Sequence, residues 1–293
     1  MGKTLFITDL DGTLLNSFHQ ISADSRTLLN HAIARGALFS VATARTPATV
    51  YRIMEGIDMR LPMVVMTGAA LWDIHTGRYS EVQYFRPRQV DEVVRAYREA
   101  GSGAFLYTLR KDRDEADADG GIPGPKRDIQ IYHFGEMTEM ERAFMLERAD
   151  NPYKFFHVDA DGISELPDVV DNAVLFFGIR PDREGREAYG RLRRLRGVNP
   201  MYYHDWFGPD VAEAEAFPEG ATKARAIKRL ARIAGADRIV VFGDNRNDLS
   251  MMAVADWSVA VGNALDEVKQ AADEVIGSNE ADAVPRKILE MLR

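Results

Sequence analysis

Two carboxylates near the start of the chain, Asp9 and Asp11 in the run Asp9-Leu10-Asp11-Gly12-Thr13-Leu14, set the chemical question. They follow Thr4-Leu5-Phe6-Ile7-Thr8, an apolar, β-branched run of the kind that forms a buried strand of a parallel sheet. A strand leaves alternate side chains on one side, and open α/β sheets bind ligands at the carboxyl ends of their strands, so both acids can face one pocket. Two acids so close repel unless a proton or a hard cation separates them. Mg²⁺ favours such an oxygen site, with one or two carboxylates and a substrate phosphate. Gly12 permits a sharp turn away. Taken alone, Asp11-Gly12 also fits a solvated turn after a strand.

Three later stretches carry compatible groups. Ala42-Thr43-Ala44-Arg45 puts a hydroxyl after a second strand-like run, where it can donate to a phosphate oxygen beside the N-terminus of the next helix; Thr43 also fits a plain N-cap or strand end. Lys223 opens a helix after Gly220-Ala221-Thr222, a poor place for a cation in the helix macrodipole unless an anion is near, although most such lysines are surface residues. Gly243-Asp244-Asn245-Arg246-Asn247-Asp248 follows the buried-strand run 238–242 and again puts acids and amides at a strand end, or alternatively makes a turn and an N-cap.

The elements that must position these groups alternate. Strand 4–8, helix 25–35 with Leu28, Leu29, Ala32 and Ile33 at helical spacing, strand 37–42, helix 48–55 and strand 63–66 predict a doubly wound parallel sheet. From about residue 81 the pattern changes to paired strands with helices between them: helix 89–100, strand 104–109, alternation at 129–132, helix 139–149, strands at 155–158 and 173–179, helix 182–196 and a hairpin of 201–207 and 210–217. This predicts an α+β insert. The α/β pattern returns with helix 223–233 and strand 238–242. Two stretches of the insert imitate metal loops without completing them. The run 115–126 lacks the closing bidentate acid of a calcium loop, and Asp159-Ala160-Asp161-Gly162 lacks a strand-sheet context like that of Asp9 and reads as a turn.

A chain of 293 residues suggests one large or two smaller domains, and a 46% apolar share is enough for a core. A net charge of -8 argues against general nucleic-acid or anionic-membrane binding. With no cysteine, disulfides, thiolate metal sites and a cysteine nucleophile are excluded. The six histidines lack metal-ligand spacing, and no nucleotide-binding glycine loop is present. The N-terminal residues run straight into the Asp motif, and no apolar run approaches a membrane span, so a soluble, cytoplasmic protein is expected.

The four stretches, in this order, resemble the motifs of the haloacid-dehalogenase-like hydrolases, in the Cof-type sugar-phosphatase branch: DLDGTLLN, ATAR where ATGR is common, GATKARAIKRLA, and GDNRNDLSMM for GDxxND. Residues 259–264 also match a family strand and turn, with Val261 where methionine is usual. The resemblance covers residues 1–83 and 217–293 by motif, and the insert only in architecture. It implies a Rossmann-like parallel-sheet core, 1–83 with 217–293, and a C2-type α+β cap, 84–216.

By resemblance Asp9 is the nucleophile and Asp11 the general acid and base. Thr43 and Lys223 complete the catalytic set, and phosphate contacts fall to Thr43, Ala44, Lys223 and Asn247. Mg²⁺ is expected on Asp9, the Asp11 carbonyl and Asp244, supported by Asn247 and Asp248. Mg²⁺ and Lys223 should depress the pKa of Asp9, while Asp11 holds a proton. Ala44 departs from the family glycine, and Thr67 replaces an asparagine, so no substrate role is carried to Thr67. The implied activity is Mg²⁺-dependent hydrolysis of small phosphate monoesters, sugar phosphates above all, through an aspartyl-phosphate. A phosphomannomutase-like phosphotransferase and a non-catalytic phosphometabolite-binding protein are the alternatives. Substrate choice is expected from the insert, with His204, Asp205 and Trp206 as candidates.

Overall fold

A computed structural model describes residues 2–109, 129–151, 154–158, 167–204 and 208–292. The stretches 115–126 and 159–162, and the candidates Asp205 and Trp206, lie outside the described residues.

The chain divides into two compact units, Met1–Glu81 with Thr222–Arg293, and Val82–Ala221. The sequence reading set the boundaries at 83/84 and 216/217. They shift because Gln83 packs on Gly220 within the second unit, where a Cβ on Gly220 would meet Gln83 Oε1 at 2.3 Å, and because the last strand of that unit runs on to Pro218.

The first unit begins with β1 (Thr4–Thr8), α1 (Ala23–Ala34), β2 (Leu38–Val41), α2 (Pro47–Ile53), β3 (Met63–Val65), β4 (Ala70–Trp72) and β5 (Tyr79–Ser80). Helix α1 starts before the predicted residue 25 because the Ser22 hydroxyl accepts from the Ser25 amide at 2.9 Å, capping the helix. Strand β3 is not a full member of the parallel sheet, as its apolar run predicted. It pairs antiparallel with β4, and a single parallel bridge joins Val64 to Ala42.

The second unit follows with α3 (Pro87–Glu99), β6 (Ala104–Leu109), β7 (Ile129–Phe134), α4 (Glu139–Arg148), β8 (Lys154–His157), α5 (Pro167–Val170), β9 (Ala173–Pro181), α6 (Asp182–Leu192), β10 (Val198–His204) and β11 (Val211–Pro218). Its sheet runs β10-β11-β9-β6-β7-β8 and is antiparallel except between β7 and β8. Helices α3 and α6 bury one face over Val93, Tyr97, Leu106, Phe134, Phe176 and Ala188. The Tyr97 hydroxyl, buried with its ring, donates to Ala214 O at 2.7 Å, so it is not left unsatisfied.

Buried charge also holds this unit together. Glu141 is fully buried; its Oε2 accepts from the Thr138 amide at 3.0 Å and lies 3.3 Å from both His133 Nε2 and Arg180 Nη1. Glu141→Ala would leave the buried Arg180 with only the half-exposed Glu184 carboxylate, 3.8 Å from its Nε, and unfolding free energy should fall by about 3 kcal/mol. Urea unfolding followed by near-UV circular dichroism measures this, and a loss below about 1 kcal/mol would refute the role.

The chain then returns to the first unit through α7 (Lys223–Ala234), β12 (Arg238–Gly243), α8 (Leu249–Met252), β13 (Trp257–Ala260), α9 (Asp266–Ala271), β14 (Glu274–Val275) and α10 (Ala283–Met291). Its five-stranded sheet is parallel, in the order β14-β13-β12-β1-β2. This is the Rossmann-like arrangement that the alternating pattern predicts. Strand β1 is flanked by β2 and β12, so the three motif-bearing strand ends lie side by side. No helix among the described residues is long and apolar enough to cross a membrane.

Candidate active site

Asp9 directly follows β1, and its amide donates to Phe242 O on β12 at 3.0 Å, which fixes it beside the strand that leads to Asp244. The chain then turns. Gly12 takes φ +75°, and a Cβ there would stand 2.4 Å from Asp244 Oδ2, so only glycine allows this approach. Thr13 Oγ1 donates to Asp244 Oδ1 at 2.6 Å, and Asn263 Nδ2 to Gly12 O at 2.7 Å. The first and last motifs are thus tied together across most of the chain.

Lys223 opens α7, capped by the Thr222 hydroxyl, which accepts from the Arg225 amide at 3.2 Å. Gly68 lies so close to Thr222 O that a Cβ would come within 2.3 Å, bringing the turn after β3 against this helix start. Lys223 is 1% exposed, and its Nζ donates to Asp9 Oδ1 at 2.6 Å and Asp248 Oδ1 at 2.7 Å. The two anions remove the macrodipole penalty of a cation at a helix start. Asp248 is fully buried and spends its other oxygen on the amides of Asp244 and Asn245, at 3.0 and 3.2 Å.

One carboxylate oxygen from each of Asp9, Asp244 and Asp248 lies within 4.8 Å of the others. Three carboxyl groups face the single ammonium of Lys223, so full ionisation would leave two negative charges, and the oxygen-only donor set fits a hard divalent cation. The buried Asn247 Oδ1 has no hydrogen-bond partner among the described residues, an unsatisfied acceptor of the kind that a bound group would complete.

Asp11 faces different company. Arg45 grips it with two parallel hydrogen bonds, Nε to Oδ2 at 2.7 Å and Nη2 to Oδ1 at 2.6 Å, and His19 Nδ1 lies 3.3 Å from Oδ1. Arg45 is held at its backbone by the Thr43 hydroxyl, which accepts from its amide at 3.1 Å, and by the Met66 amide, which donates to its carbonyl at 3.1 Å. Thr43 is buried, and its amide donates to Val64 O at 3.0 Å; Ala44 is exposed at the turn between them. Thr67 is buried in a left-handed conformation, φ +56°, and its hydroxyl has no partner among the described residues.

The chain's own groups set opposite protonation preferences on the two acids of the first motif. Burial, then the nearby Asp248, push the Asp9 carboxyl up to about 8 against the opposing pull of Lys223. Burial also works against ionisation of Asp11, but the Arg45 hydrogen bonds and charge, with His19, hold it below the usual carboxylate range. Burial, outweighing the Thr13 hydrogen bond, raises Asp244 to about 6. Burial likewise disfavours the Lys223 ammonium, yet Asp248 and Asp9 outweigh it and raise its pKa. The sequence shows neither the depth of Asp9 nor the Arg45 clamp on Asp11; Lys223 pulls the Asp9 pKa down as expected, and the further lowering expected there belongs to bound Mg²⁺. Sequence reasoning also assigned no role to Arg45, Thr13 or Asn263. The hydroxyl in Asp11-Gly12-Thr13 and the cation in Ala42-Thr43-Ala44-Arg45 are the available signals, but the bonds from Thr13 to Asp244 and from Asn263 to Gly12 join residues 231 and 251 positions apart, which only the tertiary fold brings together.

Acids at adjacent parallel-strand ends, a buried lysine between two of them and an inserted α+β unit define a class of phosphoryl-handling hydrolase, and the comparisons agree. Residues 6–164 and 205–288 match the haloacid dehalogenase-like hydrolases, and the chain belongs to that family, in its Cof-type branch. It is 26% identical over 306 residues to Phosphatase YwpJ of Bacillus subtilis (strain 168), covering 98% of this chain and 99% of the relative. It is 27% identical over 299 residues to 5-amino-6-(5-phospho-D-ribitylamino)uracil phosphatase YwtE of the same organism, covering 97% and 96%. A crystal structure of a haloacid dehalogenase-like hydrolase from Bacteroides thetaiotaomicron shares the fold, with a TM-score of 0.73, 21% identity and 99% of each chain covered. The chain is a phosphoric monoester hydrolase of this family.

Proposed function

We propose that the protein hydrolyses small phosphate monoesters with Mg²⁺, through an aspartyl-phosphate on Asp9, and that the insert, about residues 84–216, selects the substrate. The observation that carries this reading is Lys223 Nζ held between Asp9 and Asp248, with Asp244 completing an acidic cluster beside it. The phosphatase names of the relatives support it, and the uracil-derivative substrate in the name of one extends the range beyond simple sugar phosphates.

An Asp9 carboxylate oxygen attacks phosphorus, the ester P–O bond breaks, and the leaving alkoxide takes a proton from Asp11. Water then attacks phosphorus of the aspartyl-phosphate, Asp11 takes a proton from it, and the bond to Asp9 breaks to release inorganic phosphate. Lys223 offsets charge on Asp9 and on the transferring group, and Thr43 donates a hydrogen bond to an equatorial oxygen. Asp248 positions Lys223 and takes no part in bond making. Because Arg45 holds Asp11 ionised, the acid role requires the Asp11–Arg45 pair to open when substrate arrives. Asp9, Asp244 and the Asp11 carbonyl, supported by Asn247 and Asp248, would hold Mg²⁺, which would supply positive charge to offset that on the transferring phosphoryl group.

Release of free phosphate from a panel of phosphorylated metabolites tests the reading, and isomerised sugar phosphate in place of free phosphate would point to phosphotransfer. Excess EDTA should abolish turnover. Mg²⁺ should also raise the unfolding midpoint, more at about pH 8 than at about pH 5, because the cation binds carboxylates and burial holds Asp9 and Asp244 protonated at the lower pH. Full activity in EDTA, or a Mg²⁺ shift independent of pH, would reject the metal assignment.

A further inference from the structure

The acids of the site fall into two groups. Asp9, Asp244 and Asp248 turn carboxylate oxygens toward one another beside Lys223. Asp11 is outside that cluster, and both of its oxygens are already taken. Arg45 holds Oδ2 through Nε at 2.7 Å and Oδ1 through Nη2 at 2.6 Å, and His19 Nδ1 lies 3.3 Å from Oδ1. A carboxyl gripped by that fork cannot serve the leaving oxygen, so turnover needs a group that takes the guanidinium away. An oxyanion with more charge than Asp11 is such a group, and the substrate carries one.

Arg45 is placed to meet it. Thr43 Oγ1 accepts from the Arg45 amide at 3.1 Å, and the Met66 amide donates to the Arg45 carbonyl at 3.1 Å. The backbone of Arg45 is thus fixed two residues after the hydroxyl assigned above to an equatorial oxygen, and the long side chain is the part that can move. The hydrogen bonds to Asp11 outweigh burial in keeping the guanidinium charged, and the charges of Asp11 and Asp9 add to them, so Arg45 stands within electrostatic reach of the nucleophile. The Arg45 and Asp11 side chains are 24% and 29% exposed, and a pair open to water has little net strength, so a dianion can displace the single carboxylate. The planar fork that fits a carboxylate also fits two phosphoryl oxygens. All of these residues belong to the first unit.

We propose that Arg45 is a phosphoryl-binding residue whose guanidinium passes from Asp11 to the phosphoryl oxygens when the ester binds, which frees Asp11 for the leaving group. Only hydrogen bonds exchange in this step, and no covalent bond changes. Asp11 is then available only while a dianion occupies the site. The proposal rests on the phosphomonoesterase reading above and adds to it the residue that couples substrate binding to the acid.

The test uses the Mg²⁺-loaded full chain and tungstate, a tetrahedral dianion that binds without turnover, in a cycle of wild type, Arg45→Met, Asp11→Asn and the double variant. Near-UV circular dichroism checks the fold of each. By calorimetry Arg45→Met should weaken tungstate binding by about tenfold or more. Asp11→Asn keeps its backbone carbonyl but releases the guanidinium from the start, and should tighten binding by about threefold or more. In the Arg45→Met background the same Asp11→Asn change should alter binding by less than about twofold. Unchanged binding in Arg45→Met overturns the proposal, and so does equal tightening by Asp11→Asn in both backgrounds, which is relief of charge repulsion alone. If Arg45→Met does not fold, Arg45→Lys, which keeps the charge and loses the fork, replaces it in the cycle. A crystal structure of the wild-type tungstate complex should place the Arg45 guanidinium on tungstate oxygens, and a guanidinium still gripping both oxygens of Asp11 overturns the proposal without any variant. Ester hydrolysis without this coupling keeps the phosphatase reading and rejects the exchange, and the coupling without hydrolysis does the reverse.

Discussion

Asp9→Asn is expected to lower kcat by roughly 10⁴- to 10⁶-fold and to leave no phosphate covalently attached to the protein, because an amide cannot replace the carboxylate as nucleophile. The fold should survive the change. Lys223 keeps its hydrogen bond to Asp248, and the buried Asp9 is the group pushed up to about 8. A carboxyl whose folded pKa lies above its unfolded value contributes its full stability while protonated in both states and loses it as pH rises through the folded value. Without divalent cation the wild type should therefore lose stability from the ordinary carboxylate range up to about pH 8, and the Asn variant should lack that part of the slope. Acid-quenched labelling with a ³²P-labelled ester measures the first effect, and urea midpoints in EDTA across pH measure the second. Label retained by Asp9→Asn would remove Asp9 from the nucleophile's role.

Lys223→Met should be the most damaging single change to the site as a structure. It leaves Asp9 and Asp248, both buried, without the ammonium at 2.6 and 2.7 Å. Breaking a buried pair by removing one partner costs about 3–5 kcal/mol, and here two anions lose the same cation. Turnover should fall below detection alongside stability. The deficit has a predictable pH sign. Loss of Lys223 removes the pull that opposes burial at Asp9 and raises its folded pKa further, so the variant should approach wild-type stability in acid, where Asp9 is neutral, and diverge from it as pH rises. A deficit independent of pH would mean that Lys223 acts through packing rather than charge.

The difference between these two predictions lies in what Lys223 touches, which its position in the chain does not reveal. A lysine at a helix start is unfavourable, and that oddity was readable. Its partners are 214 and 25 residues away, and only the parallel pairing of β1 with β12 brings them to one point. Asp11 and Arg45 show the same limit at shorter range. They are 34 residues apart, and the clamp forms because β2 pairs with β1.

The local runs determined much by themselves. Apolar β-branched runs, each ending in an acid or hydroxyl, predicted the strands whose carboxyl ends carry Asp9, Thr43 and Asp244, because strand burial and ligand position follow from short-range pattern. The change from alternating strand and helix to paired strands predicted the α+β insert for the same reason. The sequence also carried the ordered motifs of the family. Tertiary structure decided the rest. It placed β3 with β4, carried β11 on to Pro218, and set opposite protonation preferences on Asp9 and Asp11. Burial depth and ion pairing depend on which distant segments meet, and a residue's type and its near neighbours do not contain that information.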